Sequence, residues 1–134
     1  MLQAMNTGHD GSMSTIHANN TRDALARIEN MVQMSSMGLS PKAIRTQVVA
    51  AVNLIVQVER QRDGGRRVTQ VTEIAGIEGD TQLLNDIFKF EVTGETATGR
   101  LVGRYEVSRI RSTFQERLQY FGLDRPWAQA LEEA

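Results

Sequence analysis

Two histidines, His9 and His17, could carry a proton near neutral pH or donate a hydrogen bond to a phosphate. The nearest further metal ligand is Asp10, and the spacing of the two histidines matches no zinc pattern. No metal site is therefore predicted. From the residues alone two interpretations stay open. The histidines could contact phosphate, or one could be structural at a strand end while the other is exposed in a loop.

Arginines form the second group, and they cluster around the turn signal Asp63-Gly64. The cluster consists of Arg60, Arg62, Arg66 and Arg67. Four guanidinium groups at a hairpin tip could contact phosphates, nucleic acid or an acidic surface on another subunit, whereas the ordinary alternative is a solvated turn. The net charge of the whole chain is −1, which counts against a nucleic-acid partner.

Neither lysine of the chain can serve as the phosphate-gripping lysine of a P-loop. That motif needs Gly-Lys followed by Ser or Thr, but Lys42 follows Pro41 and Lys89 follows Phe88. The glycine-bearing stretch 8–12 contains no lysine. We therefore predict that the chain alone does not turn over ATP, and we assign no catalytic residue within it.

The remaining composition is that of an ordinary domain. The 134 residues, 40% of them hydrophobic, suit one compact domain with a modest core. The absence of cysteine excludes a disulfide framework and a thiolate metal site. No apolar run approaches the roughly 20 residues that a membrane-spanning helix needs.

The order of predicted elements is a strand, two helices, hairpinned strands and short helices. The first strand is predicted at 13–17, and the first helix at 22–34 with a cap among Asn19, Asn20 and Thr21. Ser40-Pro41 opens the second helix, with Ile44, Val48, Ala51, Val52 and Ile55 on one face. Four strands are predicted at 54–60, 67–77, 87–92 and 100–107. Two helices are predicted at 113–121 and 126–133, and Gly122 is expected to end the first of them. This order indicates an α/β fold with a mixed sheet, β-hairpins and flanking helices.

The sequence also resembles the type II/IV secretion ATPases, most closely the CpaF/TadA pilus-assembly branch and its conjugation relatives. The similarity runs in order along about residues 1 to 123. The segments that carry it are 1–19, 23–29, 43–45, 51–57, 63–69, 73–74, 76–80 and 86–88. After Val107 the chain departs from the family, because Ser108-Arg109-Ile110-Arg111-Ser112 stands where a Thr-Gly-x-Arg-Pro segment is common.

The resemblance implies the C-terminal part of a RecA-like P-loop NTPase domain over residues 1–123, without its P-loop or Walker B strand, followed by a helical tail at 124–134. It implies that segment 7–19 is the histidine box, which senses the nucleotide γ-phosphate and couples hydrolysis to movement. The residues that match that box are Thr7, Gly8, His9, Thr15, His17 and Asn19. ATP and Mg²⁺ are implied for the complete family enzyme and not for this chain alone.

The resemblance further implies a hexameric motor at the cytoplasmic face of the bacterial inner membrane. Its expected partners are other copies or a full-length secretion ATPase, and the secretion or pilus platform proteins of that membrane. Two alternatives remain: a non-catalytic assembly module of such a ring, and a small nucleic-acid-binding domain that uses the arginine hairpin.

Overall fold

The computed structural model describes residues 11–35, 38–110 and 112–133. Within them the helices are α1 (Thr21–Ser35), α2 (Pro41–Ala51), α3 (Gln115–Tyr120) and α4 (Asp124–Glu133). The strands are β1 (Leu54–Arg60), β2 (Arg66–Glu78), β3 (Thr81–Glu95) and β4 (Leu101–Val107). They form one sheet in the order β1-β2-β3-β4. The predicted α/β class, with β-hairpins and flanking helices, is confirmed in this form.

All neighbouring strands of the sheet run antiparallel, so the predicted mixed sheet is wrong for the described residues, whose strands follow one another through hairpin connections. Only Gly79 and Asp80 separate β2 from β3, and a two-residue connection permits no other direction. Gly79 has a φ of +60°, which suits glycine in such a turn. β3 and β4 pair antiparallel, with a shift in register between Val92 and Gly94. β3 is longer than the predicted strand at 87–92. The prediction missed the first half of β3 because its residues do not alternate between polar and apolar as those of 87–92 do.

Both predicted caps of the first two helices are present. The Asp23 N–H donates to Asn20 Oδ1 at 2.8 Å, and Asn20 Nδ2 donates back to Asp23 Oδ2 at 3.1 Å. The Ala43 N–H donates to Ser40 Oγ at 3.1 Å, and Pro41 occupies the start of α2. These bonds satisfy amide donors that a helix start otherwise leaves without partners, so they fix where each helix begins.

The chain divides into two compact units. The first contains the described residues through Ile55 together with Ile74–Leu84. Its core is a buried cluster of Leu25, Ile44, Val48, Val52 and Ile74. Apolar positions repeat every three or four residues along α1 and α2, so each helix presents one stripe to this cluster.

Two details of the first unit differ from the prediction. Ile55 was expected on the α2 face, but α2 ends at Ala51 and Ile55 lies in β1, where it still packs against the cluster. The predicted strand at 13–17 is wrong: this segment is irregular in the structure. A strand needs a neighbouring strand for its backbone hydrogen bonds, and among the described residues the sheet consists of β1 to β4 alone.

Polar contacts also close the first unit. The Glu29 carboxylate of α1 accepts from Gln82 Nε2 of β3 and lies 3.4 Å from Arg45 Nε of α2. Arg45 donates in addition to the carbonyl of Asp80 in the β2–β3 turn. Three elements that are distant in sequence are thus tied to one another beside the apolar cluster.

The second unit consists of Val56–Glu73 and the chain from Asn85 onward. At its C-terminal end, α3 stops at a glycine, as predicted. Gly122 has a φ of +70°, its N–H donates to the Gln119 carbonyl, and the Leu123 N–H donates to the Leu118 carbonyl. This pair of bonds is a Schellman motif and ends the helix at that point. α3 is shorter than predicted, and α4 begins two residues earlier.

β1 is an edge strand with an apolar row along it. Leu54, Val56 and Val58 alternate along β1 and are 45, 50 and 58% exposed. Alternate residues of a strand share one face, so the three side chains form a continuous row. No helix among the described residues is both long enough and apolar enough to cross a bilayer.

Candidate functional site

The residues predicted to form a histidine box divide between described and undescribed residues. Thr7, Gly8 and His9 lie outside the described residues. Thr15, His17 and Asn19 are all exposed in the irregular segment that leads to the Asn20 cap of α1. Their hydroxyl, imidazole and amide groups can form hydrogen bonds with an anion, and they are accessible to a ligand that approaches this segment.

The capped start of α1 sets the position of these residues. The reciprocal bonds between Asn20 and Asp23 fix the backbone directly after Asn19. His17 therefore lies a short, defined distance along the chain from a rigid helix terminus. No group of three His, Asp or Glu side chains within the described segments could hold a metal ion, and Mg²⁺ ligation is not assigned to these residues.

The arginine hairpin, Arg60 to Arg67, forms the predicted turn. The Gln61 N–H donates to the Gly65 carbonyl at 2.8 Å, and the Gly64 N–H donates to the Gln61 carbonyl at 2.8 Å. Gly64 has a φ of +86°, a conformation that favours glycine. The Asp63 carboxylate accepts from the Gly65 N–H at 2.9 Å, so its side chain closes the turn as an Asx motif.

Two of the four arginines have partners within the second unit. Arg62 contacts Glu95 on β3 with N–O distances of 2.8 and 3.0 Å. The Arg67 guanidinium lies over the Phe90 ring, 4.1 Å from its centre, in a cation–π contact. Phe90 in turn packs edge-on against Tyr105. These two arginines therefore brace the hairpin against β3.

The other two arginines face solvent. Arg60 ends β1 and Arg66 begins β2, so they flank the turn, and both are exposed. Neither has a side-chain partner among the residues that the structure describes. Of the predicted contact residues, these two are the ones available to an anionic surface.

Asp63 links the hairpin to the start of β4. Its Oδ2 atom accepts from the Leu101 N–H at 2.9 Å. The hydrogen bonds from the backbone N–H groups of Leu101 and Gly65, together with the nearby Arg67 charge, lower the pKa of the Asp63 carboxyl below its ordinary value of 3.8. The ionised Asp63 side chain thus connects the β1–β2 turn to the start of β4 within the second unit.

A buried carboxylate, Glu73, is the feature that the sequence interpretation missed. It is 1% exposed and accepts hydrogen bonds from Asn85 Nδ2 at 2.7 Å and Ser112 Oγ at 2.7 Å. The N–H and the hydroxyl of Thr113 donate to it at 3.2 and 3.1 Å. Four donors satisfy the carboxylate oxygens, as a buried charge requires. The available signal was an acidic residue in the middle of the long strand β2, directly between Thr72 and the apolar Ile74.

Comparison with known proteins places the chain among secretion proteins. The family model described as "Type II/IV secretion system protein" matches residues 1–119. A putative conjugal transfer protein of Mycobacterium tuberculosis is 38% identical over 82 residues, which are 61% of this chain and 23% of that protein. The conjugal transfer protein TrbB of Rhizobium radiobacter is 42% identical over 76 residues, or 57% of this chain and 22% of that protein. The matched part thus spans less than a quarter of either relative.

Proposed function

Because the chain belongs to the type II/IV secretion system ATPase family, we propose that it is the C-terminal part of the RecA-like domain of a hexameric motor that powers secretion, pilus assembly or conjugal transfer. The observation that carries this proposal is the family match over residues 1–119, a range that covers the residues predicted as the histidine box and the four strands of the sheet. The two relatives described above are called conjugal transfer proteins, and this favours the conjugation branch.

Within that motor, the histidine box senses the γ-phosphate. His17, Thr15 and Asn19 supply exposed hydrogen-bonding groups next to the fixed start of α1. A γ-phosphate that accepts hydrogen bonds from them would hold this segment in one position, and its release would free the segment. Hydrolysis is coupled to movement because the segment is held when the γ-phosphate is present and released when it leaves.

The histidine-box residues contact the γ-phosphate, but this chain does not supply the P-loop that binds the phosphates of ATP. No lysine in the sequence has the Gly-Lys-Ser/Thr setting of a P-loop. ATP binding and Mg²⁺ ligation therefore depend on residues other than those described here. When bound, Mg²⁺ would neutralise phosphate charge. The motor works at the cytoplasmic face of the inner membrane with the platform proteins as partners.

The test compares ATP turnover with ATP affinity in the complete parent motor. His17→Ala is expected to lower kcat at least tenfold while the Kd for ATP changes by less than about threefold, since a sensor acts after binding. The matched control is Met13→Ala in the same exposed segment, which should leave both quantities unchanged. The 134-residue chain by itself is expected to show no turnover.

Two results would contradict the proposal. Unchanged kcat in both His9→Ala and His17→Ala would remove the sensor role. ATP turnover by the isolated chain at the rate of a complete motor would contradict the claim that the phosphate-binding residues lie outside this sequence.

A non-catalytic role as an assembly module is the second candidate. The observation that favours it is a pair of exposed arginines on a braced hairpin, Arg60 and Arg66, which have no side-chain partner among the described residues. A rigid hairpin with two such guanidinium groups is suited to an acidic surface on a neighbouring subunit. Co-purification of the chain with a full-length ATPase, lost on charge reversal at the hairpin, would favour this role.

A further inference from the structure

The buried polar network around Glu73 belongs to neither the histidine box nor the arginine hairpin. We call it the Glu73 cluster, and its members are Glu73, Asn85, Ser108, Ser112 and Thr113. Asn85 and Ser112 are each 8% exposed. A charged group is costly to bury, so a buried carboxylate whose oxygens all have donors indicates a specific structural task.

The cluster fastens both ends of one loop. At the first end, Ser108 Oγ donates to Asn85 Oδ1 at 2.8 Å, and Asn85 donates to Glu73. At the other end, Ser112 and Thr113 donate to Glu73 directly. The Ser112 hydroxyl also accepts from the Phe114 N–H at 3.1 Å, which lies directly before α3. The Glu73 carboxylate thus fixes the residues directly before the start of α3.

C-terminal to the Glu73 cluster, the chain buries little of its surface against the rest of the second unit. We call residues 115–133 the C-terminal arm, which consists of α3, the Gly122 corner and α4. None of the residues in these two helices, all of which the structure describes, is buried. A cleft of about 250 Å³ lies between Trp127 and Leu131 of the arm and Ile87 of β3. At the corner, Tyr120 is 84% exposed.

We propose that the C-terminal arm opens from β3 as a unit and that the Glu73 cluster is the latch that holds it closed. Segments with few buried apolar contacts open locally at a lower free energy than the core of the same protein. The hydrogen bonds of Ser112 and Thr113 to Glu73 are the fastening at the base of the arm, so weakening them favours the open form. Opening uncovers the buried Ile87 on the sheet.

Amide hydrogen exchange of the whole 134-residue chain, followed by mass spectrometry of peptides, tests this proposal. In the unmodified chain, amides of α3 and α4 are expected to exchange through openings that leave β3 and β4 protected. Ser112→Ala and Thr113→Val each remove one hydroxyl donor to Glu73. Each is expected to speed exchange of the arm about tenfold, the effect of losing one hydrogen bond to a charged group, with β3 and β4 unchanged.

The control is Thr93→Val, which removes an exposed threonine hydroxyl that donates to the Val102 carbonyl on the sheet. It should not change exchange of the arm. Trp127 is the only tryptophan of the chain, so quenching of its fluorescence by acrylamide gives an independent measure of opening. Quenching should increase in Ser112→Ala and not in Thr93→Val.

Two outcomes would overturn the proposal. In one, the arm of the unmodified chain exchanges only when β3 and β4 exchange, which means that it has no separate opening. In the other, Ser112→Ala and Thr113→Val speed exchange equally in the arm and the sheet, which makes the Glu73 cluster a general stabiliser.

Discussion

Gly103 on β4 is the position where a single added methyl group should do most damage to the hairpin sheet. It pairs with Val92 of β3. A Cβ atom at this glycine would lie within 3.0 Å of the Glu91 carbonyl oxygen and of two ring carbons of Phe90, a distance that real Cβ atoms essentially never show. The oxygen belongs to the backbone, so no change of side-chain rotamer relieves that contact. Gly103→Ala must therefore move the backbones of β3 and β4 apart and also displace the Phe90 ring.

The magnitude follows from what the displaced ring contacts. Inserting a methyl group into a filled space costs about 1–3 kcal/mol. Phe90 also carries the Arg67 cation–π contact, worth about 0.5–1 kcal/mol at an exposed site, and the edge-on Tyr105 contact, worth about 0.5–1.5 kcal/mol. Against these, alanine gains about 0.4–1 kcal/mol by restricting the unfolded chain. Together these contributions lower the expected free energy of unfolding of Gly103→Ala by about 1–5 kcal/mol, with a central value of about 3 kcal/mol.

Urea denaturation followed by circular dichroism measures this loss, and Gly94→Ala on β3 is the matched control. An added Cβ at Gly94 meets nothing within 4 Å. Its free energy of unfolding should stay within about 1 kcal/mol of the unmodified value. Equal stability of the two variants would refute the reasoning. In a Phe90→Ala background the cost of Gly103→Ala should shrink, because only the clash with Glu91 remains.

Two other predictions concern the arginine hairpin. The lowered pKa of Asp63 means that its carboxylate stabilises the fold above pH 3.8 and that this contribution is lost as pH falls through the lower folded-state pKa. The Leu101 amide signal in NMR should therefore titrate below 3.8 and lose this transition in Asp63→Asn, whereas a midpoint at or above 3.8 would contradict it. In the parent motor, Arg60→Glu with Arg66→Glu should reduce the hexamer fraction in sedimentation, while Arg100→Glu, an exposed arginine at the β3–β4 turn, should not. Equal effects would indicate general charge rather than a specific contact.

Local signals predicted the helix starts and the turns well. Asn20 and Ser40 are caps because their side-chain oxygens accept amide bonds from residues three positions later, a relation fixed by sequence spacing alone. Gly64 and Gly122 likewise adopt the positive φ that their positions predicted. Interactions between close neighbours in sequence thus determine these features, whatever the rest of the chain does.

The errors have one common cause, which is dependence on distant partners. The segment 13–17 has strand-like residues, but a strand exists only where another strand accepts it, and no sequence pattern supplies that information. The predicted strand at 67–77 contains Glu73 but gives no sign that its carboxylate is buried, because its donors Asn85 and Ser112 lie 12 and 39 positions away. The partners of Arg62 and Arg67 on β3 were invisible for the same reason.

The apolar row of β1 has a practical consequence for anyone who purifies this polypeptide. Among the described residues β1 pairs with a strand on one side only, so its other edge, beside Leu54, Val56 and Val58, is open to another molecule, an arrangement that nucleates ordered aggregates. With a net charge of only −1, electrostatic repulsion between molecules is weak. Concentrated samples should therefore cloud or gel with time, and a lysine substituted for Val56 should extend their shelf life.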